Sequence, residues 1–344
     1  MRCPKVVSHM NEDGPKVSII VCVYNGNEFL KDLEKFVERQ TFDDYELLFV
    51  VDMRSTDGSI QEIIRYCDEN PKARFIEDRK LAKLGGAKNL GMDSAKGRYL
   101  WFLDVDDVPS ENFLKRMIEA KESTCSDVAV CNFQYTDDRS WKAPEGGEVL
   151  TMTGSIALHM RSLNLIPVTS WAMLYDSDHI RKYKIRFRES MAEDIAFTYL
   201  SLDASDMVCF ITVPLYGYYQ NENSFCKKNA DERGRLELKN YMYLSEIFPK
   251  ENRYLQNRLC LIGIRSLTHM TSKEFRKEIR GESLEDYVHT NLVFIGKAEY
   301  IFAKLFPRTY FAGVSWYIRN FYCKTGKIYV DKRKMKTLYE IVNQ

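Results

Sequence analysis

Tyr99-Leu100-Trp101-Phe102-Leu103-Asp104-Val105-Asp106-Asp107 begins as five apolar residues and ends in three carboxylates. An unbroken apolar run of this length reads as a strand buried on both faces. The carboxylates then emerge together at its end, with Asp104 and Asp106 on one side by strand alternation. Clustered like charges repel, and beside a buried strand end they also lose hydration. A divalent cation offsets that cost. Hard oxygen ligands suit Mg²⁺ or Mn²⁺, and Mg²⁺ is commonly held by one or two carboxylates together with substrate phosphates. The segment therefore predicts a metal–phosphate site at Asp104 and Asp106. The competing account is an acidic N-cap ahead of a helix that carries Pro109 just inside its start; one Asp would serve that need.

Similar strands lie upstream. Residues 17–23 form a β-branched run that ends at Tyr24-Asn25-Gly26, and 45–51 is a second buried run that ends at Asp52. A short strand at 74–76 is the third. Helical spacing appears at 28–40, after Asp57-Gly58, and at 85–95. The order β-α-β-α-β-α-β predicts an α/β fold, a mostly parallel sheet flanked by helices. Such sheets bind ligands beyond the carboxyl ends of their strands. Tyr24, Asn25, Asp52 and the 104–107 cluster are the residues placed there.

Two further segments carry chemistry. Gly85-Gly86-Ala87-Lys88-Asn89 opens a helix, where free backbone N–H groups and Lys88 could meet an anion. Glu193-Asp194 begins the apolar-periodic stretch 193–202; taken alone, carboxylates in a first turn serve the helix dipole. There is no GxxxxGK[ST] and no GxGxxG after the first strand, which counts against a P-loop enzyme and a dinucleotide-binding oxidoreductase. Further strands are expected at 127–135, 168–174 and 208–213, around a polar loop at 137–147. From about 229 the pattern turns to helices rich in Tyr, Phe, Lys and Arg. The expected organisation is a flexible 1–15, a catalytic domain at 16–228 and a mainly helical region at 229–344.

The bulk numbers narrow the class. Of 344 residues, 45% are hydrophobic and 29% charged, an ordinary globular balance. The net charge of +1 gives no footprint for nucleic acid. Nine scattered cysteines without a CxxC pair read as thiols in a reducing compartment, and the five histidines show no HExxH spacing. The first 16 residues read as neither signal peptide nor anchor, and no run reaches the roughly 18 apolar residues of a spanning helix.

In order along the chain, these segments resemble the family 2 glycosyltransferases of the GT-A fold, in the polysaccharide and lipopolysaccharide branch. The first strand ending in Tyr24-Asn25 is similar to that family's first strand. Asp52-Met53-Arg54-Ser55-Thr56-Asp57-Gly58 resembles its Asp-x-x-Ser-Thr-Asp-Gly segment, and Gly86-Ala87-Lys88-Asn89-Leu90-Gly91 its Ala-Arg-Asn-x-Gly helix. Phe102-Leu103-Asp104-Val105-Asp106-Asp107 looks like its metal motif, and Glu193-Asp194 with Phe197 like its Glu-Asp pair. Pro214-Leu215-Tyr216-Gly217-Tyr218 with Asn223-Ser224 is similar to its Pro-Leu-Tyr-x-Tyr…Ser segment. The departures are Met53-Arg54, where Asp-Gly or Gly-Gly is usual, and Lys88, where Arg is usual.

The resemblance implies an inverting, metal-dependent hexosyltransferase that uses a nucleotide-sugar, with UDP the favoured carrier and GDP or dTDP open, and a glycan acceptor, lipid-linked or free. It implies Asp194 as catalytic base and Glu193 on the acceptor side. It implies donor contacts from Tyr24, Asn25, Asp52, Ser55, Lys88 and Asp104, and Mn²⁺ or Mg²⁺ at Asp104 and Asp106. The alternatives are a non-catalytic nucleotide- or glycan-binding protein of the same fold and a polyprenyl-phosphate sugar synthase; a nucleotidyltransferase would carry a Gly-rich segment after its first strand.

The tail has its own signal. Residues 291–344 hold ten Lys and Arg against three acidic residues. Aromatics at 300–322 are interrupted by Lys304, Arg308 and Arg319. Two readings stay open: peripheral contact with anionic lipid on the cytoplasmic face of the membrane, or packing of the same rings on the catalytic domain or a second subunit of a homo-oligomer. The expected location is the cytoplasm.

Overall fold

The protein is described here by a computed structural model. It covers residues 14–310 apart from 81–82, 222–223 and 292–293, and also 312. Residues 1–13, Asn223 and the basic run 332–336 lie outside the described residues.

The elements in chain order are β1 (Val17–Val23), α1 (Asn27–Glu38), β2 (Tyr45–Asp52), α2 (Ser59–Glu69), β3 (Ala73–Asp78), α3 (Leu84–Ser94), β4 (Tyr99–Phe102) and β5 (Val108–Pro109). There follow α4 (Phe113–Thr124), β6 (Val128–Thr136), β7 (Val149–Thr153), α5 (Gly154–Ser162), β8 (Met173–Asp176), α6 (Ser177–Lys182), α7 (Asp194–Asp203) and β9 (Met207–Tyr219). The chain continues with α8 (Phe225–Lys228), α9 (Ala230–Ile247), α10 (Arg253–Ser266), a 3₁₀ turn (Leu267–His269), α11 (Ser272–Glu278), α12 (Glu282–Asn291) and α13 (Phe294–Leu305).

The sheet runs β3-β2-β1-β4-β8-β6-β9-β5, with β7 paired to β9. β3, β2, β1 and β4 are mutually parallel, and so are β6 and β9. β8 is antiparallel to both of its neighbours, β4 and β6. The strand expected at 168–174 therefore starts later and runs the other way. Alternation along the strands divides the core between two faces. Ile19, Val21, Leu47, Phe49, Val51 and Trp101 join one cluster, covered by α1, α2 and α4. Ile20, Leu48, Val50, Leu100 and Phe102 join the other, under α3, α5 and α7. Asp52 and Asp104 share the parity of that second set, so both fall on the α3 face.

Pro109 does not begin a helix. Val108–Pro109 pairs antiparallel with Gly217 and Tyr216 as an edge strand, a place where a missing N–H is tolerated. The helix starts four residues later, at Phe113. Trp101 anchors the first face: its ring stacks on Phe113 at 4.2 Å, and its indole N–H donates to the Trp171 carbonyl at 2.9 Å. Cys131, Cys209 and Cys260 are buried free thiols, and Cys22 and Cys67 are half-buried ones.

The C-terminal helices join the second face from behind. Tyr241 and Leu244 of α9 and Leu255 and Leu259 of α10 pack on Ile195, Ala196 and Tyr199 of α7. Of the tail aromatics, Tyr300 and Tyr310 are buried in a separate helical cluster, while Phe302 and Phe306 are exposed. Among the described residues no helix is long and apolar enough to cross a membrane.

Candidate active site

The carboxyl ends of β1, β2 and β4, with the first turns of α3 and α7, form one rim. Its outer part is a stitched pair of loops. Asn25, held at φ 49°, accepts from the Thr56 N–H through Oδ1 at 2.8 Å. Its own N–H donates to Ser55 Oγ at 3.2 Å, and Asn27 N–H to Asp57 Oδ2 at 2.8 Å. Asn tolerates this left-handed backbone better than most residues. Tyr24, Asn25, Asp52 and Ser55 are thus brought together, and Arg54 binds the Asp52 carboxylate.

The inner part is a buried charge cluster. Lys88, one turn into α3, is only 2% exposed. Its Nζ donates to Glu193 Oε1 at 2.7 Å, Asp194 Oδ1 at 2.9 Å and Ser170 Oγ at 3.0 Å. An ammonium has three hydrogens, so none is left over. Burial alone would strip the Lys88 proton, but the carboxylates of Asp194, Glu193 and Asp104 outweigh it and hold the pKa well above the ordinary lysine value. The Glu193 carboxyl, also fully buried, is pushed up by desolvation against the pull of Lys88. Asp104 is likewise raised by burial, with Lys88 opposing and Asp194 and Asp106 adding to the rise.

The glycine-rich start of α3 does not offer free amides. Gly85 N–H donates to the Ser190 carbonyl at 3.3 Å, and Gly86 N–H to the Lys83 carbonyl at 2.8 Å. Gly85 is glycine for a different reason: a Cβ there would stand 1.8 Å from the Arg188 carbonyl oxygen. The absent side chain lets α3 lie against the 188–193 loop, which brings Lys88 to Glu193 and Asp194. Gly91, in the same helix, fits against β1, since a Cβ would sit 2.4 Å from Ile20 Cγ2.

That loop is held from the C-terminal region. Asn240 of α9 donates through Nδ2 to the Ala192 carbonyl at 3.1 Å, and its Oδ1 accepts from Arg188 Nη1 at 3.3 Å. Ala192 has φ 61°, a backbone that costs a non-glycine residue of order 1–3 kcal/mol and persists only where neighbours enforce it. It immediately precedes the Glu-Asp pair.

The acidic turn after β4 has its own supports. Asp106 Oδ2 accepts from Asn221 Nδ2 at 2.9 Å, and Asp107 Oδ1 accepts from the Tyr219 N–H at 2.9 Å. Arg139 donates through Nη1 to the Asp106 carbonyl at 2.6 Å, and through Nε to Asp32 Oδ2 at 3.2 Å. Its guanidinium lies 4.8 Å from the Tyr219 ring centroid. Asp107 is fully buried, and burial followed by the charges of Asp106 and Asp104 raises its carboxyl far above the ordinary range, against the Tyr219 N–H and the Tyr216 hydroxyl. Among the described residues no group of three or more His, Cys, Asp or Glu is arranged to hold a metal ion. Ser170, Asn221 and Arg139 were not singled out by sequence; Arg139 is one cation in a polar loop and gives no periodic signal.

Comparison with known proteins places this architecture. Residues 18–184 match the family described as Glycosyl transferase family 2. The chain is 31% identical over 220 residues to the uncharacterized glycosyltransferase EpsJ of Bacillus subtilis (strain 168), covering 61% of this chain and 62% of that one. It is 26% identical over 281 residues to the uncharacterized glycosyltransferase YibD of Escherichia coli (strain K12), covering 78% and 77%. The match thus spans under two thirds of the Bacillus protein's length. Among solved structures, S. aureus TarS 1-349 in complex with UDP-GlcNAc superposes with a TM-score of 0.66 at 17% identity, over 88% of this chain and 91% of that one. The mannosyltransferase PcManGT from Pyrobaculum calidifontis in complex with GDP-Man and Mn²⁺ gives 0.51 at 14%, over 92% and 90%. The fold is of the GT-A type.

Proposed function

We propose that this chain, whose residues 18–184 belong to glycosyl transferase family 2, is an inverting glycosyltransferase of surface-polysaccharide synthesis. Its donor would be a nucleoside-diphosphate hexose and its acceptor a hydroxyl of a glycan. The observation that carries the proposal is the Lys88–Glu193–Asp194 cluster, buried at the carboxyl rim within electrostatic reach of Asp104.

Asp194 serves as the base. It is more exposed than Glu193, and Lys88 engages its Oδ1. Its other oxygen can take the proton of an acceptor hydroxyl as that oxygen attacks the anomeric carbon. Lys88, expected from sequence at the diphosphate, acts here on the base: its hydrogen bonds to Glu193, Asp194 and Ser170 fix the orientation of that carboxylate. Glu193 holds Lys88 and borders the acceptor side. Tyr24, Asn25 and Ser55 border the nucleoside site, with Asp52 set behind Arg54.

The acidic turn fits Mn²⁺ or Mg²⁺. Asp104 stands half-buried beside the like charges of Asp194 and Asp106, and Asp107 lies buried in the same turn, which is a surplus of carboxylates. Asp104 and Asp106 would hold the ion, with donor phosphates completing its shell. Bound there, it would supply Lewis-acid stabilisation of the leaving diphosphate. The complexes of the TarS and PcManGT neighbours with UDP-GlcNAc, and with GDP-Man and Mn²⁺, support this choice of ligands.

A panel of UDP-, GDP- and dTDP-hexoses, each with Mn²⁺, Mg²⁺ or EDTA, tests the proposal through release of the nucleoside diphosphate. One donor should turn over slowly to water with metal and not with EDTA. Binding of a nucleotide without turnover, with or without glycan acceptors, would favour a non-catalytic binding protein instead.

A further inference from the structure

Arg54 stands where the family pattern has a small residue, and the structure gives that departure a geometry. Arg54 grips Asp52 three times: the backbone N–H reaches Oδ1 at 2.9 Å, Nε reaches Oδ1 at 3.0 Å, and Nη2 reaches Oδ2 at 2.5 Å. A planar fork of this kind matches a carboxylate and engages both of its oxygens. Asp52 therefore does not present an open carboxylate edge to a ligand.

The group that faces outward is the guanidinium. The Arg54 side chain is 53% exposed, against 12% for Asp52. Its central carbon lies 5.7 Å from the centroid of the Tyr24 ring, which is itself 60% exposed. A guanidinium carries five N–H donors, and Asp52 takes up only two of them. Two flat groups, one aromatic and one cationic, thus stand side by side at the carboxyl end of β1 and β2. A planar ligand rich in carbonyl oxygens matches both.

We infer that Arg54 is the residue that reads the donor nucleobase, donating to an exocyclic carbonyl oxygen while Tyr24 and the guanidinium plane provide the stacking surface. Asp52 positions Arg54. The inference rests on the donor site proposed above. It selects bases that carry an exocyclic carbonyl oxygen, such as uracil and guanine, and it disfavours adenine, which has none and whose exocyclic amine is itself a donor. A phosphate would also satisfy a guanidinium, so the test must separate base from phosphate.

Calorimetric titration with UDP, GDP, ADP and inorganic pyrophosphate at fixed Mn²⁺, on the wild type, Arg54→Ala and Arg54→Lys, makes that separation. For whichever of UDP and GDP binds tighter, both variants should weaken binding by about tenfold or more. ADP should bind the wild type more weakly and change less, and pyrophosphate should bind all three proteins alike, which also reports an intact fold. Equal losses for every ligand including pyrophosphate, full binding by Arg54→Ala, or full rescue by lysine would each overturn the inference. A wild type that binds no nucleoside diphosphate would contradict the donor site itself.

Discussion

Lys88 Nζ lies 2.9 Å from Asp194 Oδ1, joining the first turn of α3 to the first turn of α7 across 106 positions of sequence. A carboxylate so held is fixed in orientation. Removing the cation should lower kcat and leave the donor Kd nearly unchanged, because the base loses the group that orients it. Lys88→Arg should keep part of the activity. Since Lys88→Met leaves buried carboxylates unpaired at a cost of about 3–5 kcal/mol, the double variant Lys88→Met/Glu193→Gln is the safer form. Wild-type kcat in that double variant would show that Lys88 does not act on the base.

The acidic turn gives a metal prediction. Asp106→Asn should abolish Mn²⁺- or Mg²⁺-dependent donor turnover and leave the melting temperature within a few degrees. The Asp106 side chain accepts from Asn221, and an amide can keep that contact. Full turnover by this variant, or by the wild type in EDTA, would remove the metal from the account.

Asn240 links the helical region to chemistry. Asn240→Ala frees the Ala192 carbonyl and the Arg188 guanidinium from their clamp. Loss of a buried hydrogen-bond partner should cost about 1–3 kcal/mol of stability. If the clamp also sets the Glu193–Asp194 turn, kcat should fall while donor affinity holds. A stability loss with kcat unchanged would confine Asn240 to a structural role.

The helical region itself should respond to acid. Burial pushes the Glu237 carboxyl up, but the His269 ring and the Arg233 guanidinium outweigh it and hold its pKa at about 2. A folded-state value below the unfolded one stabilises fully above the ordinary range near 4.5 and is lost as pH falls toward 2. The difference in unfolding free energy between wild type and Glu237→Gln should be up to about 3 kcal/mol at pH 7. It should shrink steadily between pH 5 and 2 in urea titrations, on a scale set by that shift. A constant gap would contradict it.

Much of this was legible in the sequence, for physical reasons that can be named. The largely apolar runs at 17–23 and 45–51 and the apolar run 99–103 demanded a two-sided core, and their carboxyl ends marked Asp52 and Asp104. Other features depend on distant partners. The polarity of β8 is set by its pairing with β4 and β6. Pro109 looked like a helix start because the strand that it pairs with is more than a hundred residues away. Gly85 and Gly86 looked like an anion cradle, yet Gly85 serves a close approach to the Arg188 carbonyl. Lys88 followed the motif's position, and only the fold shows where its hydrogens go. Arg139 left no trace in sequence, because an isolated cation in a loop has no pattern to break.

The central claim, that Asp194 is the base of a sugar transfer at this rim, meets its most direct test in one comparison. Turnover and donor affinity are measured on wild type and Asp194→Asn with the active nucleotide-sugar, Mn²⁺ and a glycan acceptor. The account predicts a fall in kcat of about 10²–10⁴, the range for loss of a general base, with the donor Kd changed less than about twofold. Wild-type turnover by Asp194→Asn, or surviving turnover with collapsed donor binding, would contradict it and move Asp194 from the base to the donor site.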